Sequence, residues 1–211
     1  MRTESRQQRR AERTRQRLLD AARSVFAEKG LDLARIDEIT DRADVGKGTF
    51  YYHFKNKGGL IRELVCDLLS ELGDRIDARC AESASLAELL DQLIQVHIDF
   101  FDKRWEDFVL YFQSRADLAL EQGYEGIESP FMNYLERIGR LVDSMVKQHL
   151  PKPFMRRTAC AVAGFVSGYY SFAAIASPEE STEEAFRSLR GAMVSSLSRF
   201  ITEAIPAGKP Q

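Results

Sequence analysis

Residues 34–60 read ARIDEITDRADVGKGTFYYHFKNKGGL. Ile36, Ile39 and Ala43 recur at helical spacing and predict a short helix over Ile36–Ala43. Asp44, Val45 and Gly46 form a tight turn. A second short helix over Lys47–Phe54 turns Phe50 and Phe54 inward. Two short helices joined by such a turn make a helix-turn-helix, whose second helix can enter a DNA major groove.

On the N-terminal side, a helix is predicted over Arg13–Lys29. Leu18, Ala22, Val25 and Phe26 form its apolar stripe, and Gly30 is a natural stop. Leu18, Ala22, Phe26, Ile36, Ile39, Val45, Phe50 and Phe54 are the expected core of a three-helix head. Residues 1–14 are polar, with arginines at 2, 6, 9, 10 and 13. They read equally as a frayed, solvated tail or as an arm that touches phosphates or a minor groove.

On the C-terminal side, Asn56 can cap a helix over Lys57–Arg79, which leaves the head. Further helices are predicted over Leu86–Phe101, Trp105–Leu120, from beyond Gly123 to Leu150, over Phe154–Ala176, and from Ser177 or Ser181 to Ile205. Pro130 either starts or kinks the third of these. No stretch reads as a strand. The fold class is all-α. A helix-turn-helix head (1–56) is linked by a fourth helix to an all-helical body (57–205), with a tail at 206–211.

Charge is divided along the chain. The formal net charge is −2, yet residues 1–62 carry 15 Lys or Arg against 9 Asp or Glu. The remainder is acidic, so a polyanion would meet the head alone. Cys66, Cys80 and Cys160 are too widely spaced for a metal pattern and read as buried or half-buried thiols in a reducing compartment. No secretory signal is present. The uncharged run Thr158–Pro178 reads as a buried or interface helix. A cytoplasmic protein without metal or cofactor is expected. No Ser-His-Asp arrangement or Gly-rich phosphate loop points to an enzyme.

With Glu28-Lys29-Gly30 and Asp44-Val45-Gly46-Lys47-Gly48-Thr49-Phe50-Tyr51-Tyr52-His53-Phe54-Lys55-Asn56-Lys57, the segment from Arg15 to Leu64 resembles the TetR family of bacterial transcriptional regulators. The resemblance implies a homodimeric, ligand-responsive DNA-binding protein, most often a repressor released from a palindromic operator by a small molecule. By the family pattern Lys47, Gly48, Thr49 and Tyr52 face base edges. Tyr51 and His53 contact phosphates, and Lys57 meets the backbone. Lys55 extends the basic run. The chemistry agrees: Lys47 can donate to guanine O6 or N7, and tyrosine hydroxyls can donate to phosphates. Arg35 stands where Ser or Thr commonly caps helix two; it caps poorly but offers a charged phosphate contact. Asp44 stands where glycine is usual and places a negative charge near DNA.

The resemblance also implies a dimer through the last two long helices. Phe100, Phe101, Trp105, Phe108, Tyr111, Phe112, Phe131, Tyr134, Phe165 and Tyr169 are the candidate lining of a pocket for an apolar or aromatic effector. The competing reading is a small-molecule-binding or protein-interaction module without specific DNA binding.

Overall fold

The computed structural model describes residues 6–102, 104–119, 126–146, 151–176 and 182–204. Nine helices are found among them: α1 (Arg6–Leu33), α2 (Ile36–Arg42), α3 (Lys47–His53), α4 (Lys57–Cys80), α5 (Leu86–Phe101), α6 (Trp105–Ala119), α7 (Glu128–Ser144), α8 (Lys152–Ala176) and α9 (Thr182–Ala204). No strand occurs among the described residues. The chain forms two compact units. One comprises Met1–Leu68 with Lys103–Pro130, the other Leu69–Asp102 with Phe131–Gln211.

The first unit is built on α1. This helix begins at Arg6, two turns before its predicted start. The basic stretch is rich in Arg and Gln, both good helix formers, and it propagates a helix already anchored by apolar residues further on. Helical geometry breaks at Gly30, where φ is 81° and ψ 165°. A side chain is disfavoured there, so glycine is the residue the bend requires. The next amide, Leu31 N–H, donates to Gln113 Oε1 of α6 at 2.9 Å. Gln113 thus satisfies a backbone donor released by the kink.

Leu18, Ala22, Phe26, Ile39, Phe50 and Phe54 are buried as predicted, while Ile36 and Val45 are half-buried. Leu60, Ile61, Leu64 and Val65 of α4 complete this core. Polar ties set the pose of α2. Arg42 grips Glu28 through two hydrogen bonds of 2.6 and 2.7 Å. Lys29 pairs with Glu38. Glu38 also accepts from the Arg35 amide at 3.1 Å, which partly replaces the missing side-chain cap. Asn56 caps α4, its Oδ1 accepting from Gly59 N–H at 2.8 Å.

Helix α6 belongs to this unit and packs on α1. Asp107, almost fully buried, stands between Arg23 Nε at 3.2 Å and Arg104 Nε at 2.7 Å. Ser24 donates to Glu106 at 2.9 Å.

In the second unit, α5 packs on α8 and α9, and α8 on α9. Leu89, Leu90, Leu93 and Ile94 meet a core that includes Ile138, Val142, Ala159, Val162, Met193, Leu197 and Ile201. Ser85 caps α5, accepting from Glu88 N–H at 3.2 Å. Arg190 of α9 grips Asp91 of α5 at 2.5 and 2.6 Å. Pro130 sits in the first turn of α7, where a proline costs no helical hydrogen bond. No described helix is long and apolar enough to cross a membrane. Cys80 is buried, but Cys66 and Cys160 are exposed, which corrects the expectation of buried or half-buried thiols. Both lie on outward faces of their helices.

Candidate nucleic-acid interface

Helix α3 has only two turns, and its two faces differ completely. Phe50 is fully buried and Phe54 nearly so, their ring centroids 5.6 Å apart. They fix the helix to the head. On the other face Lys47, Gly48, Tyr51 and Tyr52 are exposed, and Thr49 and His53 are half-exposed. Tyr52 is 77% exposed and Tyr51 52%. Large aromatic side chains held this far into solvent on a rigid helix suit a partner surface better than a core. A Cβ on Gly48 would meet nothing within 4 Å. The chain's own packing therefore does not demand glycine there; a close partner would.

The charges around α3 are organised by two residues that the sequence did not single out as partners. Asp37 of α2 accepts from Lys47 Nζ at 2.6 Å and lies 3.7 Å from Arg35 Nη2. The hydrogen bond from Lys47 holds the Asp37 carboxyl below its ordinary range, and Asp37 in turn raises the Lys47 ammonium. Arg35, Asp37 and Lys47 therefore form a plus-minus-plus row at the surface. The second residue is Arg17. Its Nη2 donates to the carbonyls of Ala43 and Asp44, and lies 3.4 Å from Asp44 Oδ2. Asp44 itself has φ 50°, a left-handed turn that Asp tolerates without a glycine. The negative charge of Asp44 thus comes with a cation beside it.

Lys57 faces inward. Its Nζ donates to the carbonyls of Leu31, Asp32 and Ala34 at 2.7, 3.1 and 3.1 Å. It collects the carbonyls that the kink in α1 leaves without helical partners. Lys57→Met keeps the aliphatic stem and removes these charge-assisted bonds. The expected result is a head destabilised by about 2 kcal/mol, seen as a lower denaturant midpoint at unchanged m-value. An unchanged midpoint would show the clip to be dispensable. Lys55 is exposed.

Beside α3 run two open grooves of about 470 and 550 Å³. Their walls are α3 and the N-terminal turns of α1. Arg10 and Thr14 line both grooves, with Tyr52 and His53 in the first and Arg13 in the second.

The ten aromatic positions proposed for an effector divide between the units. In the first, Trp105, Phe108 and Phe112 form a stacked row along α6, with centroid separations of 5.5 and 6.1 Å. Trp105 and Phe112 are exposed, while Phe108 and Tyr111 are buried. In the second, Phe100, Phe101, Phe131 and Tyr134 are buried and Phe165 is 43% exposed. The side chain of Tyr169 lies outside the described residues. His97, fully dry, sits among this second set. Its Nδ1 faces the Leu93 carbonyl at 2.6 Å, so that nitrogen carries the proton. Nε2 then accepts from the Tyr134 hydroxyl at 2.6 Å. Burial pushes His97 from the ordinary 6.5 down to about 4. A separate groove of about 390 Å³ lies between α7 and α8, with Leu135, Gly139 and Met155 in its wall and Arg140, Lys152 and Arg156 around it. No group of three or more metal-ligating side chains occurs among the described residues.

Comparison with known proteins finds a family likeness in this head. Residues 18–64 match the family model described as bacterial regulatory proteins, tetR family. The uncharacterized HTH-type transcriptional regulator YvdT of Bacillus subtilis (strain 168) is 33% identical over 124 residues, 58% of this chain and 63% of that protein. The match thus spans less than two thirds of that relative's length. Among solved structures, the fatty acid degradation regulator FadR from Bacillus halodurans superposes with a TM-score of 0.68 at 18% identity, covering 97% of this chain and 99% of that one. FadR from Bacillus subtilis, solved in complex with stearoyl-CoA, gives 0.65 at 21% identity, covering 90% and 98%. At such identities the superpositions show a shared fold.

Proposed function

We propose that this chain is a TetR-type bacterial regulator, a reading the match of residues 18–64 to that family supports, and that it is a transcriptional repressor released from its operator by a small molecule. It acts as a DNA-binding regulator and not as an enzyme. The observation that carries the reading is α3: a buried Phe50 and Phe54 on one face, with Lys47, Gly48 and Tyr52 in solvent on the other. Residues 1–56 serve as the reading head, and 57–205 bind the effector and the second subunit.

In this reading Lys47 exchanges the Asp37 carboxylate for a guanine edge, and Thr49 and Tyr52 contact neighbouring bases. Arg35, Tyr51, His53 and Lys55 meet phosphates. Lys57 acts on the backbone contact through the loop it clips as much as by its own charge. Two copies join through outward strips of α8 and α9, where Cys160, Gly164, Phe165 and Phe200 are exposed. The two-fold axis then matches a palindromic operator.

The effector is apolar or aromatic. The buried aromatic groups of the body support this, as does the superposition on a regulator solved with stearoyl-CoA. The ligand must bind the DNA-incompetent state better than the competent one, and α4 carries the change between body and head. A cytoplasmic location follows from a DNA partner.

Mobility-shift titration with duplexes from the DNA beside its own gene tests the reading. A duplex retained against excess competitor DNA, and released by an added long-chain acyl compound or aromatic ligand, is the expected result. Absence of specific retention at low and moderate salt would overturn the repressor. Equal operator affinity with and without a ligand that binds the body would overturn release.

A further inference from the structure

We propose that the first turns of α1 are a phosphate rail: Arg6, Arg10 and Arg13 grip the sugar-phosphate backbone of the DNA that flanks the half-site read by α3. The inference rests on the operator reading and extends it to a surface outside the helix-turn-helix.

The stretch from Arg6 to Arg17 holds six arginines and one acidic residue, Glu12. The structure sorts five of them, all but Arg9, into two groups. Arg15 pairs with Glu12 and Glu63, and Arg17 closes the turn at Asp44. These two are occupied by the fold. Arg6, Arg10 and Arg13 are exposed, and among the described residues no carboxylate pairs with them. Their spacing of four and then three places them on one helical face. Like charges at that spacing repel and weaken a helix, so the arrangement costs the free protein something. A polyanion laid along the face reverses the sign of that interaction.

Position completes the case. Arg10 lines the same groove as Gly48, Tyr52 and His53, and Arg10 and Arg13 line the groove that Thr49 enters. The cationic face is therefore continuous with the reading face of α3. From Arg6 to Arg13 the helix rises about 10 Å. Over that distance duplex DNA presents about six phosphate charges, ample for three guanidinium groups. A rigid helix cannot thread a minor groove as an extended arm would. It can lie along a phosphate ridge, and guanidinium groups bind phosphate oxygens in a two-pronged geometry.

The test compares the full-length protein with an Arg6→Ala, Arg10→Ala, Arg13→Ala triple variant. The probes are a duplex from beside its own gene that mobility shift retains, and the same duplex trimmed of about one helical turn at each end. All three side chains are exposed, and equal circular dichroism and melting temperature confirm that the variant is folded. On the flanked duplex the variant should bind at least tenfold more weakly, with the slope of log K against log salt shallower by up to about 2.7 per head. On the trimmed duplex the two proteins should bind alike. The triple Arg→Lys variant should restore most of the slope. An unchanged slope on the flanked duplex, or an equal loss on both duplexes, overturns the rail. If wild-type protein retains no duplex specifically, the operator reading falls and the rail falls with it.

Discussion

Operator DNA should be lost from the Lys47→Ala, Tyr52→Ala double variant at protein concentrations that saturate binding by the wild type. A lysine aimed at a guanine edge discriminates by about 1–3 kcal/mol. A tyrosine hydroxyl contact adds about 1 kcal/mol, more when the ring is also covered on binding. Together they predict a loss of roughly 30- to 10³-fold. Two features make the variant informative. Both side chains project into solvent, so the fold should keep its melting temperature. Removal of Lys47 also leaves Asp37 with one cation in place of two, and its carboxylate then repels approaching phosphates. Fluorescence anisotropy with labelled operator, run beside thermal melts, gives both readings. Binding within about threefold of wild type would mean that α3 is not the reader.

The second large effect is an acid instability centred on His97. Its pKa falls from 6.5 to about 4 because the ring is buried dry, which outweighs the bond to the Leu93 carbonyl. The fold therefore favours the neutral ring. This contribution is complete above about pH 6.5 and is lost as the pH falls toward about 4, since the unfolded chain takes up the proton first. The loss amounts to about 1.4 kcal/mol per pH unit and about 3 kcal/mol over the whole window. Carboxylates begin to titrate below about pH 5, so the comparison must be internal. His97→Gln can keep a polar contact to Tyr134 without a group that titrates here. It should be less stable at pH 7 but show a flatter stability curve between pH 7 and 5. Parallel curves for the two proteins, from urea unfolding at each pH, would overturn the assignment.

Local pattern made the head readable. Ile36, Ile39, Phe50 and Phe54 announce two short helices within 20 residues, and the structure places α2 at Ile36–Arg42 and α3 at Lys47–His53. Their amphipathic periodicity survives because their apolar faces meet one small core. The early start of α1 escaped because a run of arginines has no apolar stripe, and helix propensity alone is a weak signal. The pairing of Arg17 with the turn at Asp44 joins residues 27 positions apart, and Asp37 with Lys47 crosses between helices. No periodicity within one helix encodes such partners. Lys57 is the clearest case: it lies in a basic run typical of a DNA surface, yet its ammonium turns toward three carbonyls of the α1–α2 segment. In the body, ten aromatic residues were legible as a hydrophobic resource. Which of them pack in the dry interior and which meet solvent depended on helix orientations that the sequence alone does not encode.

The seat of α6 against α1 bears on how the head can be moved to another body. Asp107 holds a charge between Arg23 and Arg104 in a nearly dry setting, and Gln113 completes the bend at Gly30. A chimaera that joins this protein's first 56 residues to a foreign body would leave Arg23 with Asp20 but without Asp107, and the Leu31 amide without its Gln113 acceptor. The transplantable cassette is therefore discontinuous. A working graft carries the head together with the α6 residues that face it, or restores an Asp and a Gln at the equivalent places in the host.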